Sequence, residues 1–89
     1  MGYSVEYAQS AIKDLKKLDK PTRQFVLAWI EKNLVGCSDP RQHGKGLTAN
    51  HSGEWRYRVG NYRILAHILD KEVLILVLRA GHRSEIYKD

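Results

Sequence analysis

The segment Glu54-Trp55-Arg56-Tyr57-Arg58-Val59-Gly60-Asn61-Tyr62-Arg63 carries three guanidinium groups at spacings that place them on one surface. Gly60-Asn61 reads as a two-residue hairpin turn with glycine at its first central position. Arg58 then opposes Arg63, and Arg56 opposes Leu65. Side chains alternate across a strand. Trp55, Tyr57, Val59, Tyr62 and Ile64 therefore share one face, and Arg56, Arg58, Arg63, Leu65 and His67 share the other. Like charges directly opposite one another are destabilising. A sheet accepts such a patch most readily where an anion binds, and guanidinium forks match phosphate oxygens two at a time. The alternative is a solvated face on which arginine serves solubility.

Proton-transfer groups lie nearer the C-terminus, where His82-Arg83 follows a strand and Glu85 and Tyr87 come soon after. An imidazole, with an ordinary pKa of about 6.5, can act as acid or base at neutral pH. An exposed terminal histidine without a catalytic role is the competing assignment for His82. Tyr87 suits stacking on a base or packing on the sheet edge. His43, His51 and His67 show no close metal-ligand spacing, and the single cysteine, Cys37, provides no multi-cysteine zinc site. Neither a metal nor another cofactor is expected. The Asp and Glu residues form no evident catalytic pair. Gly44-Lys45-Gly46 lacks the strand, GK[ST] and helix of a P-loop and is set aside on that ground.

Charge is concentrated around these groups. Residues 41–67 hold Arg41, Lys45, Arg56, Arg58 and Arg63 against Glu54, a net +4 of the chain's +5. A basic block that the rest of the chain does not share points to a polyanion surface. The 89 residues make one domain, 1–89, with a thin core for which a partner sharing buried surface is plausible. The longest apolar run, Val73 to Leu78, is far short of the roughly 20 residues of a membrane span. The beginning of the chain has no signal-peptide pattern. One cysteine permits no internal disulfide, which fits a reducing cytoplasm.

The elements that must position these residues follow from periodicity. Tyr3, Val5 and Tyr7 alternate in a short strand over 3–7. Ala8, Ala11, Ile12, Leu15 and Leu18 form one helical face over about 8–19. Asp19-Lys20-Pro21 opens a second helix with a stripe of Phe25, Val26, Trp29, Ile30 and Leu34, and Gly36 is its stop. Residues 37–53 read as a long loop, the kind that is usually functional or mobile. Strands follow over 54–59, 62–69 and 72–79, the last apolar on both faces, ended by Gly81 and a short tail. The fold class is α+β, in the order β-α-α-β-β-β, with two N-terminal helices packed on an antiparallel sheet.

At these residues the chain resembles the RelE/ParE toxin superfamily, on the RelE side. The resemblance spans the chain and rests on Leu15-Lys16-Lys17-Leu18, the block from Gly53 to Arg63, and the ending Gly81-His82-Arg83-Ser84-Glu85-Ile86-Tyr87. It implies a RelE-like fold and the toxin of a type II toxin–antitoxin pair. The implied activity is a ribosome-dependent endoribonuclease that cleaves messenger RNA in the A site and inhibits translation. The implied partners are a cognate acidic, RelB-like antitoxin, the ribosome and messenger RNA, with operator DNA reached only through the antitoxin complex and no membrane. By position, the family's second-strand basic residues fall on Arg56 and Arg58, its third-strand arginine on Arg63, its C-terminal arginine on Arg83 and its terminal tyrosine on Tyr87. Both second-strand positions are Arg where well-studied relatives have Lys. Arginine is a poor base at neutral pH, so proton transfer passes to His82, Glu85 or Tyr87, with His82 first, or the ribosome itself contributes. The alternatives are a ParE-like toxin that inhibits DNA gyrase without cutting, and a weakly toxic subunit of an autorepressor complex.

Overall fold

In the computed structural model, residues 2–46 and 54–86 are described. The elements run β1 (Ser4–Tyr7), α1 (Gln9–Lys17), α2 (Lys20–Asn33), β2 (Lys45–Gly46), β3 (Glu54–Val59), β4 (Tyr62–Leu69), a 3-10 turn (Asp70–Glu72), β5 (Leu74–His82) and α3 (Arg83–Ile86). The strands form one sheet in the order β1-β5-β4-β3-β2. The α+β class and the expected element order hold. Four features depart from expectation. β1 pairs with β5 in parallel, so the sheet is mixed rather than antiparallel. The long loop contributes a two-residue strand, β2. β5 runs on through Gly81 to His82 instead of ending at Gly81. The tail begins as a helical turn, α3.

One face of the sheet is the core. Tyr57, Val59, Ile64, Ala66, Ile75, Val77 and Ala80 pack there against Ala11 and Leu15 of α1 and Val26, Ile30 and Leu34 of the second helix and its cap. Asp19 caps α2, accepting a hydrogen bond from the Thr22 amide at 3.3 Å. The β4–β5 register slips once: Leu65 faces Arg79 but Ala66 faces Val77, so Leu78 is the extra residue of a bulge. Strict alternation would send Ile75, Val77 and Arg79 to the same face. The bulge reverses the parity, so that Ile75, Val77 and Ala80 are all fully buried and Arg79 is exposed.

β1 covers β5 only as far as Val77. Beyond it, α1 supplies the missing partners. Ser10 Oγ donates to the Leu78 carbonyl at 2.6 Å, and the Asp14 carboxylate accepts from the Ala80 amide at 3.0 Å. An edge that would otherwise present bare backbone is thus closed by side chains.

At the other end of the sheet, Asp70 holds three segments together. Its carboxylate accepts two bonds from the Arg41 guanidinium, at 3.0 and 2.9 Å, and one from the Tyr3 hydroxyl at 2.7 Å. These bonds hold the Asp70 carboxyl below its ordinary value, Arg41 contributing most. A depressed carboxyl stabilises the fold fully above its unfolded value of about 3.9 and loses that contribution as pH falls through the lower folded value. Asp70→Asn is therefore expected to unfold at lower urea than the parent at pH 7. The gap should close as both are titrated from about pH 5 toward 2. A constant gap across that range would show that the charge of Asp70 is not what holds the segments.

Candidate nucleic-acid interface

The face of the sheet away from the core carries the arginines. Arg58 pairs with Arg63 and Arg56 with Leu65, and Arg63 is in turn opposite Gly81 of β5. Gly60, at φ 61°, occupies the first turn position, which fixes this register. The interaction between alternation and register places Arg56, Arg58 and Arg63 together.

Arg63 is not a solvated surface residue. It is only 7% exposed, although it lies on the non-core face. α3 packs over this end of the sheet against β4 and β5. Its Ile86 side chain lies where a Cβ on residue 81 would come within 3.2 Å, a space left by Gly81. One Arg63 nitrogen donates to the Tyr62 carbonyl at 3.2 Å. Among the described residues no carboxylate pairs with it. Its pKa is lowered, first by burial and then by repulsion from Arg58, Arg56 and Arg83. The last of these shows that Arg83, at the start of α3, belongs to the same cluster. Its amide donates to the Asn61 carbonyl at 3.0 Å, tying α3 to the hairpin turn. Four of the residues singled out by sequence therefore converge: Arg56, Arg58, Arg63 and Arg83.

His82 does not join them. It pairs with Tyr62 in β5–β4, so its side chain is on the opposite side of the sheet from Arg63 and Gly81. Its ring meets Tyr62 edge-on with centroids 5.8 Å apart. Its Nδ1 is 2.9 Å from Ser84 Oγ and accepts from the Ser84 amide at 3.2 Å. The expectation assumed a strand ending at Gly81, and two further paired residues set the imidazole on the other face. Glu85 is better placed: a carboxylate oxygen lies 4.0 Å from where a Gly81 Cβ would stand, and its charge acts on Arg79. Tyr87 lies outside the described residues.

Two other cations near the face are already neutralised. Arg79 is bonded to Asp14 at 2.7 and 3.3 Å, and Arg41 to Asp70. Lys45 belongs to the basic block of residues 41–67. It stands directly opposite Arg56 across β2–β3. No group of three His, Cys, Asp or Glu side chains suited to a metal occurs among the described residues. Among them, no helix is long and apolar enough to cross a membrane.

Residues 5–87 match a family model described as the ParE toxin of type II toxin–antitoxin system, parDE. The chain is 34% identical over 90 residues to Toxin RelG of Mycobacterium tuberculosis, covering 99% of each. It is 25% identical to a putative RelE-like toxin protein of Escherichia coli, over 98% of this chain and 92% of the relative. Among solved structures, a chain of the RelBE2 toxin–antitoxin complex from M. tuberculosis superposes with a TM-score of 0.85 at 29% identity, covering 96% of this chain and 95% of that one. A variant of the E. coli toxin RelE in the free state shares the fold, with a TM-score of 0.73 at 20% identity, over 97% and 88% of the two chains.

The packing of Ile86 on Gly81 predicts how α3 is held. Gly81→Val should lift α3 without disturbing the core, because its Cβ alone would come within 3.2 Å of the Ile86 side chain. The Arg83 amide is expected to exchange with solvent roughly tenfold faster, the effect of about 1.4 kcal/mol, while the amides of Ile64 and Ile75 keep their protection. Unchanged Arg83 exchange would mean that this contact does not secure the helix.

Proposed function

The chain belongs to the RelE/ParE family of toxins from type II toxin–antitoxin systems, and from that premise we propose that it is a metal-independent endoribonuclease cutting messenger RNA in the ribosomal A site. The observation that carries this reading is Arg63: a residue 7% exposed over its whole surface, among other arginines and without a carboxylate partner among the described residues. Such a group is poorly stabilised until an anion arrives. A phosphate, bound by guanidinium forks, is the anion it fits.

The reaction is transesterification. The ribose 2′-oxygen bonds to the adjacent phosphorus and the bond to the 5′-oxygen breaks. The products are a 2′,3′-cyclic phosphate and a free 5′-hydroxyl. The 2′-hydroxyl proton must leave and the 5′-oxygen must gain one. Arg58, Arg63 and Arg83 serve charge stabilisation on the phosphate as it becomes more anionic, and Arg56 binds the strand beside them. Arginine does not act as a base here. The place of His82 behind the sheet argues against a proton-transfer role for it and favours Glu85, above Gly81, together with Tyr87. The clamps are good and the base is weak, so the ribosome supplies part of the site and free RNA is cut poorly.

A cognate acidic antitoxin of the RelB kind inhibits the toxin under this reading, and operator DNA is bound only through that complex. The support is the pair of solved relatives crystallised as toxin–antitoxin complexes, that of M. tuberculosis and a RelB–RelE complex from Methanococcus jannaschii. Partnership also fits a cytoplasmic protein with net charge +5.

Arg63→Ala is expected to lower cleavage of ribosome-bound messenger by about 10²–10³, the loss typical of one oxyanion-type donor. Lys16→Ala, on the exposed face of α1, should leave it unchanged. Primer extension on translating ribosomes reads both, with DNA gyrase supercoiling assayed in parallel. Equal effects of the two substitutions would overturn the site. Gyrase inhibition without messenger cleavage would replace the reaction with the ParE-type activity.

A further inference from the structure

We propose that Asp14 is a positioning residue for the phosphate site: it draws Arg79 off the open face and fixes the strand end opposite Arg63, so that an RNA phosphate is directed to Arg63. This rests on the ribonuclease reading above and gives a role to an acid that touches neither RNA nor the reacting atoms.

Arg79 begins on the open face. It stands opposite Leu65, as Gly81 stands opposite Arg63, so by alternation its side chain leaves the sheet on the same side as that of Arg63. Arg79 and Gly81 are two residues apart along β5, about 6.7 Å. A free guanidinium there would be a competing phosphate clamp beside Arg63. Its head turns round the edge of the sheet instead. β1 leaves that edge of β5 uncovered beyond Val77. Asp14 reaches it from α1, whose Ala11 and Leu15 are buried on the core side. Asp14 Oδ2 accepts from Arg79 Nε at 2.7 Å and from the Ala80 amide at 3.0 Å, and Oδ1 accepts from Arg79 Nη2 at 3.3 Å. The Asp14 side chain is 11% exposed and that of Arg79 46%. The acid is therefore the fixed partner, and the arginine is the one that is held.

The same acid sets the strand. Leu78 is the bulge residue that reverses the parity of β5. Its carbonyl accepts from Ser10, one helical turn before Asp14 and on the same side of α1. Ser10 and Asp14 thus hold the backbone at 78 and at 80. The next residue is Gly81, which lies opposite Arg63 and against Ile86 of α3. Bulges beside functional sites re-aim the residues around them. One carboxylate therefore performs two tasks, backbone acceptor and counter-charge, and an asparagine can perform only the first. Glu85 on α3 is the other acid whose charge reaches Arg79. An Arg79 released from Asp14 swings toward it, onto the face that the phosphate must use.

Binding of a single-stranded five-nucleotide RNA, made uncleavable by 2′-deoxy substitution at the scissile position, is read by fluorescence anisotropy on the full chain across a salt series. Cleavage is read by primer extension on translating ribosomes. Asp14→Asn should steepen the slope of log K against log salt by about 0.7, the gain of one single-strand phosphate contact. Cleavage should nonetheless fall, by up to about 10²-fold, the scale of a small misplacement of the substrate. Arg79→Gln alone should leave the slope unchanged, because that guanidinium is not on the phosphate. Asp14→Asn combined with Arg79→Gln should return the slope to that of the parent and restore most of the lost cleavage. A residue that only stabilised the fold would not steepen the slope, and removing a second side chain would not rescue it. The amides of Ile64 and Ile75 should keep their exchange protection throughout; its loss in Asp14→Asn without rescue by Arg79→Gln marks Asp14 as structural and overturns the proposal. An unchanged or shallower slope in Asp14→Asn, a shallower slope in Arg79→Gln, or a double variant no more active than Asp14→Asn overturns it as well. A parent that binds the strand but cuts no messenger ends the ribonuclease reading, and the slopes still decide for or against Asp14.

Discussion

A largely buried arginine beside other arginines is the interaction on which the rest of the molecule depends. Removing a cation from solvent is unfavourable, and placing it opposite another cation adds to the cost. Arg63 bears both, with burial the larger cause of its lowered pKa. The fold must hold it there by other means. It does so with the opposite face of the same strands: Ile64 and Ala66, next to Arg63 in β4, are fully buried against α1 and α2, as is Tyr57 beside Arg58 in β3. The Tyr57 hydroxyl is satisfied as well, donating to the buried Pro40 carbonyl at 2.7 Å. Each turn of the strand that secures an apolar residue below commits an arginine above. The repulsion cannot relax by a change of register, because a slip of one residue would exchange the two faces.

The acidic side chains are arranged around this constraint rather than against it. Asp14 takes Arg79 and the Ala80 amide, and Asp70 takes Arg41 and Tyr3. Both acids serve at the margins of the sheet, closing an edge or joining segments. Pairing either with Arg63 would relieve the fold and occupy the position an incoming phosphate needs. Structural cations are thus neutralised internally, while among the described residues no carboxylate takes Arg63. This is the usual opposition between stability and activity, resolved by position.

The parts of this arrangement that the sequence makes legible are local. Gly60-Asn61 between two alternating runs determines a hairpin register, and that register alone predicts which residues share the face with Arg63. The helices are equally plain from their apolar stripes. What escapes the sequence depends on contacts between distant segments. β5 is apolar on both sides, so alternation cannot say which side faces the helices, and the bulge at Leu78 reverses the parity partway along. That reversal, with the extension of β5 to His82, decides that the imidazole lies behind the sheet. The parallel pairing of β1 with β5 joins residues nearly a chain length apart, and the packing of α3 over Gly81 depends on a contact that alternation does not show. Gly44-Lys45-Gly46 lacks a P-loop's strand, GK[ST] and helix, so the motif pattern assigns it nothing. Its pairing with β3, which sequence spacing does not reveal, makes it the edge strand β2.

The same cost that makes the face receptive to RNA bears on how it can be silenced. Any anion bound at Arg63 relieves the repulsion among Arg58, Arg56 and Arg83, so ligand binding and folding stability are linked. Messenger phosphate is one such anion; under the proposed function the carboxylates of an acidic antitoxin are another. Both would draw on one reservoir of unfavourable electrostatics, and they would therefore exclude each other even where their contacts overlap only partly. A protein chain has an advantage that RNA lacks: it can also bury apolar surface. The α1–α2 hairpin offers it in a groove of about 260 Å³ lined by Tyr7, Ile12, Leu15 and Leu27 with Lys16 and Arg23 at its sides. Charge sets how fast either ligand arrives and how strongly salt opposes it, while buried apolar contact sets how long it stays. An inhibitor that combines the two can outlast a substrate held by phosphates alone, without matching it contact for contact at the arginines.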